Sequence, residues 1–188
     1  MKRTKALEST AHHEAGHAVA AIYVQIEPKA VTIIPNDGYS GLVSLPAYFS
    51  DSDFLDLAAV TEFSPELQRK VENSVLISFA GPQAQKYFNP KGFRSYHAEK
   101  DYECVVELLF RLEQDQDVLK HYFRMLDCKA RNFVRSPNHW KAICDLAKAL
   151  LAQPKMSGRE VRETVLESYR VQTVSYTHLR AHETGRNL

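Results

Sequence analysis

Apolar residues recur at helical spacing from residue 4 to residue 26, and the stretch "AGHAVAAI" is small or apolar nearly all round. That pattern predicts one buried helix, which Glu27-Pro28 ends. "KAVTIIP" reads as a strand, "NDGYSG" as a turn and "SGLVSL" as a second strand, so residues 29–45 form a candidate β-ribbon. The next stretch, residues 46–63, is looser, with room for one helical turn. Ser64-Pro65-Glu66 supplies a cap, a first-turn proline and an acid, and so opens a helix. That helix is expected to bend or restart at Gly81-Pro82. "NPKGFRSYH" reads as a loop. The segments "AEKDYECVVELLFRLEQD", "DVLKHYFRMLDCKARNFVR" and "HWKAICDLAKALLAQ" follow as helices. Ser157-Gly158-Arg159-Glu160 has the capping-box pattern and opens a last helix that is expected to reach about Arg170. The predicted fold class is mainly α: an array of about six helices with a small two-stranded β-ribbon.

Residues 1–171 fit one domain. The segment 172–188, "QTVSYTHLRAHETGRNL", carries no apolar stripe and no cap. Its "SYTHLRAHET" resembles a translated sequencing-adapter remnant, so an unstructured, artefactual tail is expected, and the spacing of His178 and His182 is not read as a metal pair.

Net charge of +1 gives no global attraction to nucleic acid or to an anionic membrane. The basic positions Arg124, Lys129, Arg131 and Arg135 are interrupted by Asp127 and read as a solvated helix face. Three scattered cysteines (Cys104, Cys128 and Cys144) without a CxxC pair argue against a disulfide framework and a thiolate zinc knuckle. The basic start "MKRTKALEST" leads into no apolar signal core, and no apolar run is long enough to span a bilayer. A cytoplasmic protein with no membrane partner and no nucleic-acid partner is therefore expected.

The chemistry lies in the first helix, at His13-Glu14-Ala15-Gly16-His17. Residues i and i+4 of a helix share a face, so two imidazoles aim at one point with Glu14 beside them. Burying these groups without partners would cost on the order of several kcal/mol. A Zn²⁺ ion held by His13, His17 and a third protein ligand removes that cost and leaves a fourth position for water. Glu14 is placed to act as general base on that water. His12 points about 100° away by helical geometry and reads as a partly exposed or capping residue. The metzincin continuation is excluded, because Ala20 and Tyr23 stand where its glycine and third histidine belong. A glutamate from a later helix is possible but nothing marks it. Cys104 reads as a buried structural cysteine, and Trp140 as a packing anchor.

"TAHHEAGHAVAAIYV" followed by "KAVTIIPNDGYSGLVSL" resembles the peptidase domain of the FtsH-type zinc metalloprotease family, in which a HEAGHA helix leads into a "V-T-I-x-P" ribbon. "VLISFAGPQAQKYF" is similar to the family's "LAGRAAEE" segment, "HAEKDYECVVELLFRL" to its "GAxxDxxxAxxLA" helix start, and residues 138–165 to its closing helices. The likeness runs in order over residues 4–167. It implies a zincin fold, His13, His17 and Asp101 as zinc ligands, Glu14 as the base, and an endopeptidase activity on protein or peptide segments. By itself, Asp101 would read as a first-turn acid favoured by the helix dipole. His97 replaces a family glycine and is a rival ligand or a hydrogen-bonding support to one. Gln85-Lys86 replaces an acidic pair. The strand residues Gly41, Leu42 and Val43 are expected beside the metal, either pairing with an extended substrate or merely capping the helices. The chain contains no GxxxxGK(S/T) loop. A homo-oligomer or a separate ATPase partner is therefore expected if folded proteins are to be cut. Two other uses of the fold are a stand-alone regulatory protease for one target, as ImmA-type proteins resemble, and a non-catalytic binding module.

Overall fold

The computed structural model describes residues 4–36, 40–49 and 64–184, with residues 172–184 as backbone alone. In chain order the elements are α1 (Lys5–Tyr23), β1 (Ala30–Thr32), β2 (Leu42–Ser44), α2 (Pro65–Phe88), a 3₁₀ turn (Ser95–Ala98), α3 (Glu99–Leu112), α4 (Gln116–Arg135), α5 (Pro137–Ala152), β3 (Lys155–Ser157) and α6 (Gly158–Thr184). The fold is mainly helical with one small antiparallel sheet. No helix among the described residues is long and apolar enough to cross a membrane. Part of the expected turn at 36–41 and all of residues 50–63 lie outside the described residues.

α1 is the central rod, with eleven of its residues buried. It starts at Thr4, whose hydroxyl accepts the Leu7 amide at 3.2 Å. It ends three residues before the expected boundary. Gln25 adopts φ 66°, and the amides of Ile26 and Gln25 turn back to the Ala21 and Ile22 carbonyls. This is a Schellman closure with glutamine in the left-handed position usually given to glycine. The buried Ile26 side chain holds it in place.

α1 packs against α2, α5, α6 and the sheet in one apolar core that includes Val19, Val31, Ile143, Leu146, Leu150 and Val165. Another face of α2 packs with α3 and α4 in a second core around Val71, Val75, Phe79, Val105 and Leu109. α2 does not break at Gly81-Pro82: it continues to Phe88. The proline lacks one amide donor, but residues 79–85 are all buried. Their packing outweighs one lost hydrogen bond.

The ribbon forms with the register Ala30↔Ser44, Val31↔Val43 and Thr32↔Leu42. The expected two-stranded ribbon is in fact a three-stranded sheet of order β2-β1-β3, in which Lys155–Ser157 pairs on the far side of β1. Three residues are too few to show an alternating pattern, so this strand had no signal of its own. The capping box is present: Glu160 accepts the Ser157 amide at 2.7 Å. α6 extends past Arg170 through the segment expected to be unstructured, to Thr184. No proline or glycine interrupts its backbone ladder before Gly185.

The α1–α2 contact depends on Gly16. A Cβ there would lie 2.5 Å from the Ala80 carbonyl oxygen and 2.8 Å from the Ala84 Cβ. Gly16→Val is expected to cost about 3 kcal/mol, seen as a fall of roughly 6–12 °C in thermal midpoint by circular dichroism. A melting curve matching the wild type would contradict this contact.

Candidate metal and catalytic site

His13 and His17 lie one turn apart on α1, facing α2 and the start of α3. His17 Nδ1 donates to the Ile77 carbonyl at 2.7 Å. His13 Nδ1 meets the Gln85 side-chain oxygen at 2.9 Å. Both ring orientations are thus fixed by α2, and both Nε2 atoms are left to face each other at 3.0 Å. Asp101, in the first turn of α3, closes the triangle. Its two oxygens lie 3.2 Å from His13 Nε2 and 3.3 Å from His17 Nε2.

Two imidazole lone pairs and a carboxylate converge here, and such a set holds together only around positive charge. A proton can supply part of it. Burial works against charge on His17, but the adjacent Asp101 carboxylate outweighs burial and raises its pKa to about 9. Burial likewise opposes charge on Asp101, yet the neighbouring His17 holds it well below the usual carboxylate range. A divalent cation fits the same place. A tetrahedral zinc site with ligands at 2.0–2.1 Å has ligand–ligand edges of roughly 3.3 Å, close to the three separations here. The His13, His17 and Asp101 cluster could hold a metal ion. The space for it is kept by a glycine: a Cβ on Gly81 of α2 would strike His17 Nε2.

Glu14 is 6 % exposed, and burial raises the proton affinity of its carboxyl, against the pull of His13 and His17. A second glycine makes room for it. A Cβ on Gly41, just before β2, would lie 2.6 Å from Glu14 Oε1. Gly41, Leu42 and Val43 line the same cleft as His13, Glu14 and Asp101, a cavity of about 820 Å³. Leu42 is exposed and Val43 half-buried.

His97 is exposed on the cleft wall and is not one of the three converging ligands. Its Nδ1 takes a hydrogen bond from the Gln85 amide nitrogen at 3.2 Å. His12 differs from expectation: it is buried, stacked on Phe88 at 3.7 Å between centroids, because its α1 direction leads into the junction with the end of α2. Cys104 also differs. It is exposed and outside the cluster, because α3 lies on the surface and buries only Val105 and Leu109. Trp140 packs edge-on against Tyr87 at 4.6 Å. The side chains of His178 and His182 are outside the described residues.

Three features of the site had no clear sequence signal. The Ile77 carbonyl is backbone and carries no residue signature. Gln85 stood out only as a departure from an acidic pattern. Gly81 read as a helix breaker, whereas its role is to leave space.

Two outcomes follow from this geometry. Gly81→Ala is expected to fold and to lose metal binding, measured as zinc per chain after dialysis; full zinc retention would refute the cradle. The second concerns pH. His17 has a folded pKa above its unfolded value, so its stabilising contribution is complete below about pH 6.5 and is lost as pH rises through about 9. In chelator, the thermal midpoint is expected to fall across that window, and zinc, which replaces the proton, is expected to flatten the decline. A midpoint in chelator that stays level or rises would show that His17 is not protonated in the fold.

Compared with protein-family models and with curated proteins, the chain matches none, so the chemistry of this site is carried by its geometry alone.

Proposed function

We propose that the chain is a zinc-dependent endopeptidase of the FtsH-type peptidase class, acting on unfolded or flexible protein segments in the cytoplasm. The observation that carries the reading is the triangle of His13, His17 and Asp101, with a buried carboxylate, Glu14, on the turn that bears both histidines. When bound, Zn²⁺ supplies Lewis acidity for a scissile carbonyl and lowers the pKa of a water from 15.7 to about 7.

The chain's residues do the rest. His13 and His17 present Nε2 lone pairs held in direction by α2. Asp101 contributes the negative charge that balances part of a divalent cation. Glu14 has its proton affinity raised by burial, which moves it toward the range useful to a general base near neutral pH. It takes a proton from the attacking water as the oxygen bonds to the carbonyl carbon. It then gives that proton to the amine as the C–N bond breaks. β2 is the outer strand of the sheet order. Among the described residues no strand pairs with its other edge, which supports a substrate strand lying along Leu42 and Val43, with Gly41 allowing close approach to Glu14. Folded substrates would need to be unfolded before cleavage.

Glu14→Gln is expected to keep stoichiometric zinc while lowering kcat/KM on an unfolded casein-like substrate by about 10²–10⁴-fold. His17→Ala and Asp101→Ala are expected to lose zinc. An active Glu14→Gln protein would refute the peptidase mechanism. Zinc retained by Asp101→Ala would move the third ligand elsewhere.

A further inference from the structure

We propose that Arg94, His97 and Gln85 form a hydrogen-bond relay that sets the tautomer of His13, which makes Gln85 and His97 positioning residues for the metal. The proposal rests on the zinc reading above for its use, though not for its geometry.

The relay begins at a group with only one possible role. The backbone N–H of Arg94 can donate and cannot accept. It lies 3.3 Å from His97 Nδ1, so that nitrogen is the acceptor. Gln85 Nε2 faces the same atom at 3.2 Å and must also donate, as an NH₂ group does. The amide is planar, so its oxygen is turned the other way, toward His13 Nδ1 at 2.9 Å. An oxygen accepts. His13 Nδ1 therefore carries the proton, and its Nε2 keeps a lone pair aimed at His17 and Asp101.

His17 obtains the same result from the Ile77 carbonyl, which belongs to a helix backbone and cannot turn over. Gln85 can. A half-turn of its amide exchanges oxygen for nitrogen, presents a donor to His13 Nδ1, and moves the His13 proton to Nε2, where the metal belongs. Gln85 is 8 % exposed, so water is poorly placed to arbitrate between the two orientations. His97, held by Arg94, is the group that does so. A carboxylate at position 85 would need no such partner, because both of its oxygens accept. This dependence of residue 85 on residue 97 separates a relay from ordinary packing.

The test compares wild type with His97→Phe, His97→Asn, Gln85→Glu and the double variant Gln85→Glu/His97→Phe. Zn²⁺ affinity is measured by chelator competition, and the His13 tautomer by ¹⁵N imidazole shifts in metal-free protein. Because His97 is exposed, unchanged thermal melting is the folding control. His97→Phe is expected to weaken zinc binding by roughly 10-fold or more, the lower end of the range for lost outer-partner contacts, and to mix the His13 tautomers. His97→Asn places an acceptor oxygen close to the Nδ1 position and is expected to restore both readouts. The double variant is expected to match Gln85→Glu alone. Equal losses from His97→Phe in both backgrounds, no loss in either, or no rescue by asparagine would each overturn the relay. A wild type that binds no zinc, yet shows the Nδ1–H tautomer and its dependence on His97, would sink the zinc-peptidase reading and leave the relay standing.

Discussion

The close approach of α1 and α2 is the constraint on which the rest of this structure depends. Gly16 lets the Ala80 backbone and Ala84 side chain come into contact with α1. That contact brings the Ile77 carbonyl within reach of His17 and Gln85 within reach of His13. It also brings Gly81 up to His17 Nε2, where nothing larger than hydrogen fits. One helix crossing therefore sets the spacing of the core, the directions of both imidazoles and the clearance beside His17. Small residues at the crossing serve packing and chemistry together.

That crossing also concentrates unfavourable charge. Two imidazoles, Asp101 and the buried Glu14 are gathered on the wall of one cleft. Burial raises the proton affinity of Glu14, while the mutual attraction of His17 and Asp101 lowers that of Asp101 and raises that of His17. A carboxylate that holds its proton more tightly and another that gives it up more readily, lining one cleft, are suited to different roles. Glu14 is suited to exchanging a proton, and Asp101 to remaining an anion beside a cation. The same low-dielectric surroundings that make the cluster expensive to bury make its interactions with a bound cation strong.

Much of the fold was legible because its segments are long and strongly patterned. The helices that carry the apolar cores follow from periodicity, caps and breakers, and the ribbon from two short β-prone runs around a turn. The misses were physical. β3 is three residues long and exists because β1 offers it an edge. Gln25 replaces a glycine signal with a side chain tolerated at positive φ because Ile26 anchors the turn. Gly81-Pro82 carries a local preference to break that buried packing overrides. His12 was read as partly exposed from helical phase, and phase does not say which neighbour stands on each side; Cys104 was read as buried from its residue type, but α3 turns that side to the surface.

By itself, the sequence determined that His13, Glu14 and His17 share one helical turn, because i and i+4 positions must align, and that this turn is embedded in apolar surroundings. It could suggest Asp101 only through resemblance, since a first-turn aspartate has an independent reason to be there. Tertiary structure alone decided that Asp101 meets the two histidines across more than eighty residues of chain, that Gly81 leaves room for His17 and Gly41 for Glu14, and that Gln85 is the residue standing behind His13. The reason is the range of the information. Helical spacing is a local property, whereas the convergence of lone pairs on one point is a property of how three elements pack.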